Sequence, residues 1–310
     1  MPASAERRAH ELTDLAIRLA LSGLAAIVGR VPFRGLRLLG GLPAWIFGRV
    51  VRVRLTQVEA ALARAKLAST HAQGMYRSLA TGVMELLWLA GGRNKALERV
   101  VGIDAASELA LASALGEGRG VVMAASHTGN WELAACAMAR RAPLSVLVKK
   151  VSIGGFDRFM RRTRSRYGVE LLLGEGALGR ARGCVRAGRV VAVLADQVPP
   201  IVSQGTWVPF LGDRALTDRS AAALSAATGA PLLVTASRRT VDGTHVLHVL
   251  RVLRPPAEDR HAWTYEATRQ SAAALDEFVR ANPDQWLWLH RRWKEPPRSA
   301  ARLVTAPPAH

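Results

Sequence analysis

The middle of the chain alternates short, purely apolar runs with longer amphipathic stretches. The apolar runs have the length of strands and lie at residues 120–126, 144–148, 190–194 and 231–236. The amphipathic stretches fit helices at residues 131–140, 156–167, 177–187 and 219–228. Strands that alternate with helices in this way predict an α/β fold, in which helices flank a largely parallel central sheet.

Further elements are predicted outside this alternation. Helical patterns cover residues 55–89 and 265–280. Residues 243–253 alternate apolar and polar positions with a period of two, and the turn residues 241–243 predict a hairpin with the strand before them. The run WLWLH at residues 286–290 has the same period and predicts a short strand with one buried face.

The N-terminal part of the chain has the pattern of a membrane-attached helix. Residues 12–29 hold only two charged side chains, Asp14 and Arg18, and approach the length that a bilayer requires. These charges favour a helix in the membrane surface over a helix that spans the membrane. A cleavable signal peptide is disfavoured, because Glu11 and Asp14 lie within or beside the apolar run.

Residues 30–54 mix aromatic and aliphatic residues with arginines, a pattern that indicates contact with an anionic leaflet. An amphipathic core helix with a solvated basic face is the alternative. We therefore predict a membrane-associated helical segment over residues 1–55, followed by one domain over residues 56–310.

The composition is that of a folded protein with an anionic partner. Hydrophobic residues make up 49% of the chain and charged residues 22%, which excludes a disordered composition. The net charge of +19 indicates a phospholipid surface, a phosphorylated ligand, an acidic carrier protein or nucleic acid, and does not choose among them. Cys136 and Cys184 lack the spacing of a zinc site or a disulfide framework, so no metal is predicted.

The sharpest local feature is SHTGNWE at residues 126–132, which follows a predicted strand and opens a predicted helix. Ligands of α/β proteins lie at the carboxyl ends of strands, so His127 has the position of a site residue. An imidazole suits a general base, since its unperturbed pKa is about 6.5. A carboxylate on the other ring nitrogen would hold the productive tautomer. Glu132 is the first choice for this carboxylate, and Asp196, at the end of another strand, is the second.

Gly129 and Asn130 are predicted to bind substrate, through turn amides that face a developing oxyanion at the start of the helix. The alternative is purely local. In that case His127 and Asn130 cap the helix, and Glu132 interacts with its dipole. The spacing alone does not decide, because such spacings also arise by chance.

Beyond this motif, the chain resembles the bacterial lipid A late-acyltransferase family of the lysophospholipid acyltransferase superfamily. The hallmark of the superfamily, a His-x4-Asp/Glu motif after a core strand, matches His127 and Glu132. Other matching segments keep the family's order: residues 54–89, FDRFMRRTRSRYG at 156–168, ADQ at 195–197, VPFLG at 208–212 and NPDQWLWLHRRWK at 282–294.

The resemblance implies a glycerol-phosphate-acyltransferase-like fold and an O-acyltransferase that moves a fatty acyl chain to a hydroxyl of a membrane glycolipid. The implied donor is acyl carrier protein or coenzyme A carrying the chain as a thioester, with no further cofactor. The implied place is the cytoplasmic face of the inner membrane. The partners are then acyl carrier protein, anionic membrane lipid and the glycolipid acceptor, but no nucleic acid.

Two arginines and the acceptor complete the expectations. Arg161 and Arg164 share a helix face and are predicted to bind the acceptor's phosphate or the oxyanion, with a solvated basic face as the alternative. The resemblance does not identify the acceptor, because residues 198–206 depart from the Gly- and Arg-containing loop of the family. An ornithine lipid, a phosphatidylinositol mannoside or a lysophospholipid stays open beside a lipid A precursor. A non-catalytic basic membrane-binding module is the remaining alternative.

Overall fold

The computed structural model describes residues 2–148 and 154–293, without the side chains of residues 2–9, 94 and 95. Lys294, the last residue of the final segment that resembles the family, lies outside the described residues.

A mixed, mostly parallel sheet forms the centre of the fold. The strands, in chain order, are β1 (Val101–Ile103), β2 (Val121–Ala125), β3 (Leu144–Leu147), β4 (Glu170–Leu172), β5 (Val190–Leu194), β6 (Gly205–Phe210), β7 (Asp213–Asp218), β8 (Leu232–Arg239) and β9 (His245–Leu253). Seven of them form one sheet in the order β1-β9-β8-β2-β5-β3-β4. Neighbours in this sheet run parallel except β8 and β9, which form the predicted hairpin.

Helices cover both faces of this sheet, so the predicted α/β class is confirmed. The α-helices of the described residues are α1 (Pro2–Val28), α2 (Leu36–Leu39), α3 (Gly41–Trp45), α4 (Leu55–Arg64), α5 (His71–Ala90), α6 (Asn94–Val100), α7 (Ala105–Gly116), α8 (Trp131–Ala139), α9 (Gly154–Arg166), α10 (Ala177–Arg186), α11 (Ser220–Thr228) and α12 (Arg260–Ala281). A π-helical turn, Ile46–Val50, follows α3.

The inner strands are apolar on both sides because each side meets a layer of helices. On one side, Val121 and Met123 of β2 belong to a buried cluster with α5, α8 and α9. On the other side, Val122 and Ala124 belong to a cluster with α10, α11 and α12. This double burial explains why the strands are continuous apolar runs in the sequence.

The predicted strand at residues 286–290 is wrong. Only Trp286 pairs in a β-bridge, with Thr128, and the chain then turns back on itself through a hydrogen bond of 3.0 Å from Trp288 N–H to the Trp286 carbonyl. The alternation instead reflects burial of the two indoles, which pack edge to face in a second apolar cluster. The sequence prediction also omitted β1, β4 and the separate antiparallel pair of β6 and β7.

The first helix, α1, lies against α5 and α9. Ala25 and Val28 are buried in the same cluster as the sheet. The Asp14 carboxylate accepts the Gly155 backbone N–H at 2.8 Å and pairs with Arg158, so it caps the beginning of α9. An added Cβ at Gly155 would lie 2.6 Å from the Asp14 carbonyl oxygen, so this contact requires glycine. Asp14 therefore serves the packing of α1 on the domain.

The outward side of the N-terminal segment is apolar. Its exposed large side chains are Leu12, Leu15, Leu19, Leu24, Ile27, Leu38, Leu39, Leu42, Trp45, Phe47, Val50 and Val51. In the described part of the chain, no single helix has both the length and the hydropathy of a span. The pair His10–Val28 and Phe33–Val50 meets both criteria together, but it is bent by 116°. The helical segment is confirmed, whereas the domain boundary after residue 55 stays a prediction.

Candidate active site

The loop that carries His127 is fixed on both sides. The His127 carbonyl accepts the Leu287 N–H at 3.1 Å, and the Gly129 N–H donates to the Gln285 carbonyl at 2.8 Å. Gly129 has a φ of +55°, and a Cβ there would lie 2.5 Å from the Ser237 carbonyl oxygen. Glycine is therefore required where this loop passes β8.

His127 and Asp196 form a buried pair at the carboxyl edge of the sheet. β2 and β5 are parallel neighbours with Ala125 opposite Leu194, so the residues that follow them meet. Nδ1 of His127 lies 2.8 Å from Oδ1 of Asp196, and the His127 backbone N–H donates to Oδ2 at 2.8 Å. The Trp286 indole donates to Oδ2 at 2.9 Å.

Asp196 is held as a carboxylate. Burial alone would raise its pKa, but the charge of His127 and the hydrogen bonds from His127 and the Trp286 indole outweigh that effect. The pKa of Asp196 therefore lies well below its usual range. A charged Asp196 that accepts Nδ1–H leaves Nε2 of His127 as the nitrogen with a free lone pair.

Glu132, the first choice from the sequence for orienting His127, has a different partner. Its oxygens accept from the Arg164 guanidinium at 2.8 and 2.6 Å, and Oε1 also accepts from the Trp131 indole at 3.0 Å. The side chain of Glu132 points along α8 to α9, so Asp196 takes the position at Nδ1. The order in which the sequence ranked the two carboxylates is therefore wrong for this contact.

The Gly129 backbone N–H and the Asn130 side chain both form hydrogen bonds within the protein. The Asn130 side chain accepts from Leu133 N at 3.2 Å, as an N-cap, and donates to Glu85 at 2.9 Å. The Gly129 N–H, as noted, donates to a carbonyl. The oxyanion role expected for the Gly129 amide is thus not available in this geometry. The Asn130 side chain has the capping role of the local alternative, whereas an oxyanion role for the Asn130 backbone N–H stays a prediction.

The two predicted arginines separate. Arg164 lies 19% exposed in its ion pair with Glu132, and both line the cavity beside His127. Burial alone would lower the pKa of Arg164, but the hydrogen bonds and the charge of Glu132 raise it. Arg161 pairs with Asp157 one helical turn earlier, at 2.7 Å, and does not line this cavity. Of the two, only Arg164 is therefore placed to meet a substrate.

A buried charge cluster contacts the end of the His127 loop through Asn130. Arg239 donates to both oxygens of Glu85 at 2.8 Å, and Nε2 of His245 lies 3.1 Å from the same carboxylate. Burial would raise the pKa of Glu85, but His245 and Arg239 lower it to about 2. Since Glu85 also holds Asn130, this cluster connects α5 and β8 to the start of α8.

Sequence reasoning missed Gln197 and His290 as site residues. The Gln197 amide nitrogen lies 3.0 Å from Nε2 of His127 and 2.6 Å from Nε2 of His290. The rings of His127 and His290 are 5.1 Å apart, edge to face. Both residues lie in segments that resemble the family, ADQ and NPDQWLWLHRRWK. The spacing of residues along the chain does not predict their side-chain contacts.

A cavity of about 480 Å³ reaches His127. Its wall is polar near His127, Gln197 and Arg164 and apolar farther along α5 and α9. A smaller cavity of about 70 Å³, called the extension, lies beneath α8 and shares the lining residues Trp131, Glu132 and Arg164 with the larger one. This extension is lined by apolar side chains of α8 and of the strands, including Ala135, Met138, Val146 and Ala192. Among the described residues, no group of three His, Cys, Asp or Glu side chains could hold a metal ion.

The fold and the cavity define the class of site. A carboxylate-held imidazole at the strand ends, beside a cavity with an apolar end, suits the transfer of an acyl chain to a hydroxyl. The chain matches the family described as bacterial lipid A biosynthesis acyltransferase over residues 7–295. It belongs to this family and is an acyltransferase, and membership implies acyl transfer to a lipid A precursor. No match was found among curated proteins.

Proposed function

We propose that this protein transfers a fatty acyl chain from a thioester of acyl carrier protein or coenzyme A to a hydroxyl of a lipid A precursor, at the cytoplasmic face of the inner membrane. The observation that carries the proposal is the His127–Asp196 pair at the polar end of a cavity whose other end is apolar. The thioester is the co-substrate, and no further cofactor is proposed.

In the proposed reaction, Nε2 of His127 takes the proton of the acceptor hydroxyl while the oxygen attacks the thioester carbon. Asp196 holds the Nδ1 proton and stabilises the imidazolium that forms. The tetrahedral intermediate then collapses, the C–S bond breaks, and the thiolate takes the proton from the imidazolium. The products are an ester and a free thiol, without a covalent acyl-enzyme.

The two substrates are proposed to occupy different parts of the cavity. The acyl chain follows the apolar wall of the cavity and ends among the apolar side chains of the extension beneath α8. The acceptor enters at the polar end, where Arg164 offers a positive charge for a phosphate group.

The membrane contact is proposed to be the apolar outward side of the N-terminal segment. Leu38 and Leu42 are 84% and 65% exposed, and Arg34 and Arg37 lie beside them in sequence. Aliphatic side chains next to arginines match an anionic leaflet. Because α1 packs on α5 and α9, which line the cavity, this contact would hold the cavity close to the lipid.

A transfer assay with His127→Ala tests the proposal. Labelled acyl carrier protein and acyl coenzyme A are each offered with a lipid A precursor in vesicles. His127→Ala is expected to lower the transfer rate by about 10²–10⁴-fold while vesicle binding survives, since general base catalysis contributes that much. The matched control is His261→Ala, an exposed histidine of α12. Unchanged transfer by His127→Ala would refute the role of His127 as the base. Vesicle binding without any acyl transfer by the wild-type protein would instead support a non-catalytic membrane-binding module.

The sequence of residues 198–206 is the reason to test acceptor lipids other than a lipid A precursor. These residues depart from the family's loop, and Ile201 within them is 55% exposed. Mass spectrometry of envelope lipids with and without the protein would identify the acceptor. Loss of an acyl ester from lipid A supports the proposal, whereas loss from an ornithine lipid, a phosphatidylinositol mannoside or a phospholipid reassigns it.

A further inference from the structure

Gln197 lies between two imidazoles. Its amide nitrogen is 3.0 Å from Nε2 and 3.3 Å from Nδ1 of His127, and 2.6 Å from Nε2 of His290. The near-equal distances to both nitrogens of one ring place the amide over the face of His127, because no atom lies on both lone-pair axes at once. The lone pair of Nε2 therefore stays open to the cavity, which Gln197 also lines.

Gln197 differs from the other N–H donors of this cavity wall in the acceptors that its hydrogens meet. Among the described residues, the other N–H donors that line the cavity and have partners in the protein include the backbone N–H groups of His127, Gly129 and Leu287 and the side chains of Asn130, Trp131 and Arg164. These groups donate to carbonyl or carboxylate oxygens. In the described part of the chain, the partners of the Gln197 amide nitrogen are Nε2 of His290 and the ring of His127, whose face is a weak acceptor for the second hydrogen. That hydrogen can turn to a stronger acceptor at little cost.

We propose that Gln197 donates to the oxyanion of the tetrahedral intermediate and that His290 holds it in position; this deepens the proposed function and rests on it. An attacking oxygen in the plane of the ring, about 2.8 Å from Nε2, lies about 4 Å from an amide nitrogen above that plane. The thioester carbonyl oxygen is bonded to the carbon under attack. It therefore comes within hydrogen-bond reach of Gln197.

The balance of the step defines what Gln197 contributes. As the new C–O bond forms, the π pair moves to the carbonyl oxygen, and the hydroxyl proton goes to Nε2 of His127. The Gln197 N–H donates to the negative oxygen. When the C=O bond re-forms, the C–S bond breaks and the thiolate takes the proton from Nε2. Because the negative charge is absent from the bound substrates, the donor acts on kcat and leaves KM nearly unchanged.

His290 is a positioning residue in this scheme. Its Nε2 accepts one hydrogen of the Gln197 amide and so directs the other hydrogen towards the thioester carbonyl oxygen. Glutamine at position 290 keeps an acceptor oxygen near the same place, whereas leucine keeps only bulk. We therefore expect His290→Gln to retain most of kcat and His290→Leu to lose it.

Steady-state kinetics of the full chain in lipid vesicles test the proposal. Gln197→Ala is expected to lower kcat by about 10²–10³-fold with KM for both substrates within about threefold, as for the loss of an oxyanion donor. Gln197→Glu keeps the shape of the side chain but replaces the N–H donor by a negative oxygen. Its kcat should therefore be no higher than that of Gln197→Ala. Gln204→Ala, an exposed glutamine of the same loop, is the matched control.

The outcomes separate this proposal from the function on which it rests. A wild-type protein without acyl transfer overturns both. Active wild type with a Gln197→Ala kcat within about threefold of it, or with a loss confined to KM, overturns only the role of Gln197. Equal kcat values for His290→Gln and His290→Leu overturn the role of His290. A cooperative thermal transition close to that of wild type shows that each variant is folded.

Discussion

The substitution Asp196→Asn keeps the shape of a buried side chain but replaces one acceptor oxygen by an NH2 group. Oδ2 accepts two hydrogen bonds, from the His127 backbone and the Trp286 indole, whereas Oδ1 accepts one, from Nδ1 of His127. The single amide oxygen therefore faces the two donors, and the NH2 group faces Nδ1. The ring proton then moves to Nε2, which leaves the base without a lone pair for the hydroxyl.

The size of the effect follows from the alternative orientation. The productive tautomer returns if the amide turns over, but two buried N–H groups then lose their acceptor, at about 1–3 kcal/mol each. The sum of roughly 2–6 kcal/mol lowers the productive population, and kcat with it, by about 30-fold to 10⁴-fold. Binding of either substrate does not use Asp196, so KM should change little.

Initial-rate kinetics with a labelled acyl thioester measure this prediction. The matched control is Asp213→Asn, which removes an exposed carboxylate that pairs with Arg64 at the surface. An Asp196→Asn enzyme with a kcat within about threefold of wild type would refute the tautomer argument. So would a loss that appears only in KM, because the argument places Asp196 behind the base and away from the substrate.

Three further predictions concern the cavity wall and the buried charges. Glu132→Gln and Arg164→Met should each lower kcat/KM by about tenfold or more, and the double variant should be little worse than either single one, since the two act as a unit; additive losses would contradict this. Glu85→Gln should reduce the free energy of unfolding by about 3 kcal/mol at pH 7 by leaving buried Arg239 without its partner, with exposed Glu98→Gln as control. The pKa of Glu85 is lowered to about 2 on folding, so its stabilisation is complete above about pH 4.5 and disappears as the pH falls through about 2, and denaturant curves of the variant should lack this slope. Ala135→Leu should fill the extension beneath α8 and favour shorter acyl chains, with a loss of about fourfold in kcat/KM for each methylene that no longer fits. Ala106→Leu, at an exposed position, is the control and should leave the chain-length profile unchanged. An unchanged profile for Ala135→Leu would place the acyl chain elsewhere.

The fold was largely predictable because its signals are local. Apolar runs at β2, β5 and β8 carry their own burial pattern, and the turn before β9 carries the hairpin. The short strands β1 and β4 have three residues each, too few to show a period. The run at residues 286–290 misled because two buried indoles two residues apart have the period of a strand, while the backbone between them turns.

The sequence predicted those site residues that lie at the ends of neighbouring strands. His127 and Asp196 each follow an apolar run, and parallel pairing of those runs brings them together. Which carboxylate takes Nδ1 depends on side-chain direction: Glu132 lies on the first turn of α8 and extends to Arg164 on α9. The contacts of Gln197 and His290 join segments far apart in sequence, and no spacing rule encodes them.

The cap that Asp14 provides for α9 gives the first helix a second function besides the proposed lipid contact. A shortened chain that begins after residue 30 would lose the acceptor for the Gly155 N–H and the partner of Arg158. The helix so released carries Arg164, about two and a half turns after Gly155. Truncation is therefore a change to the catalytic wall as well as to the anchor.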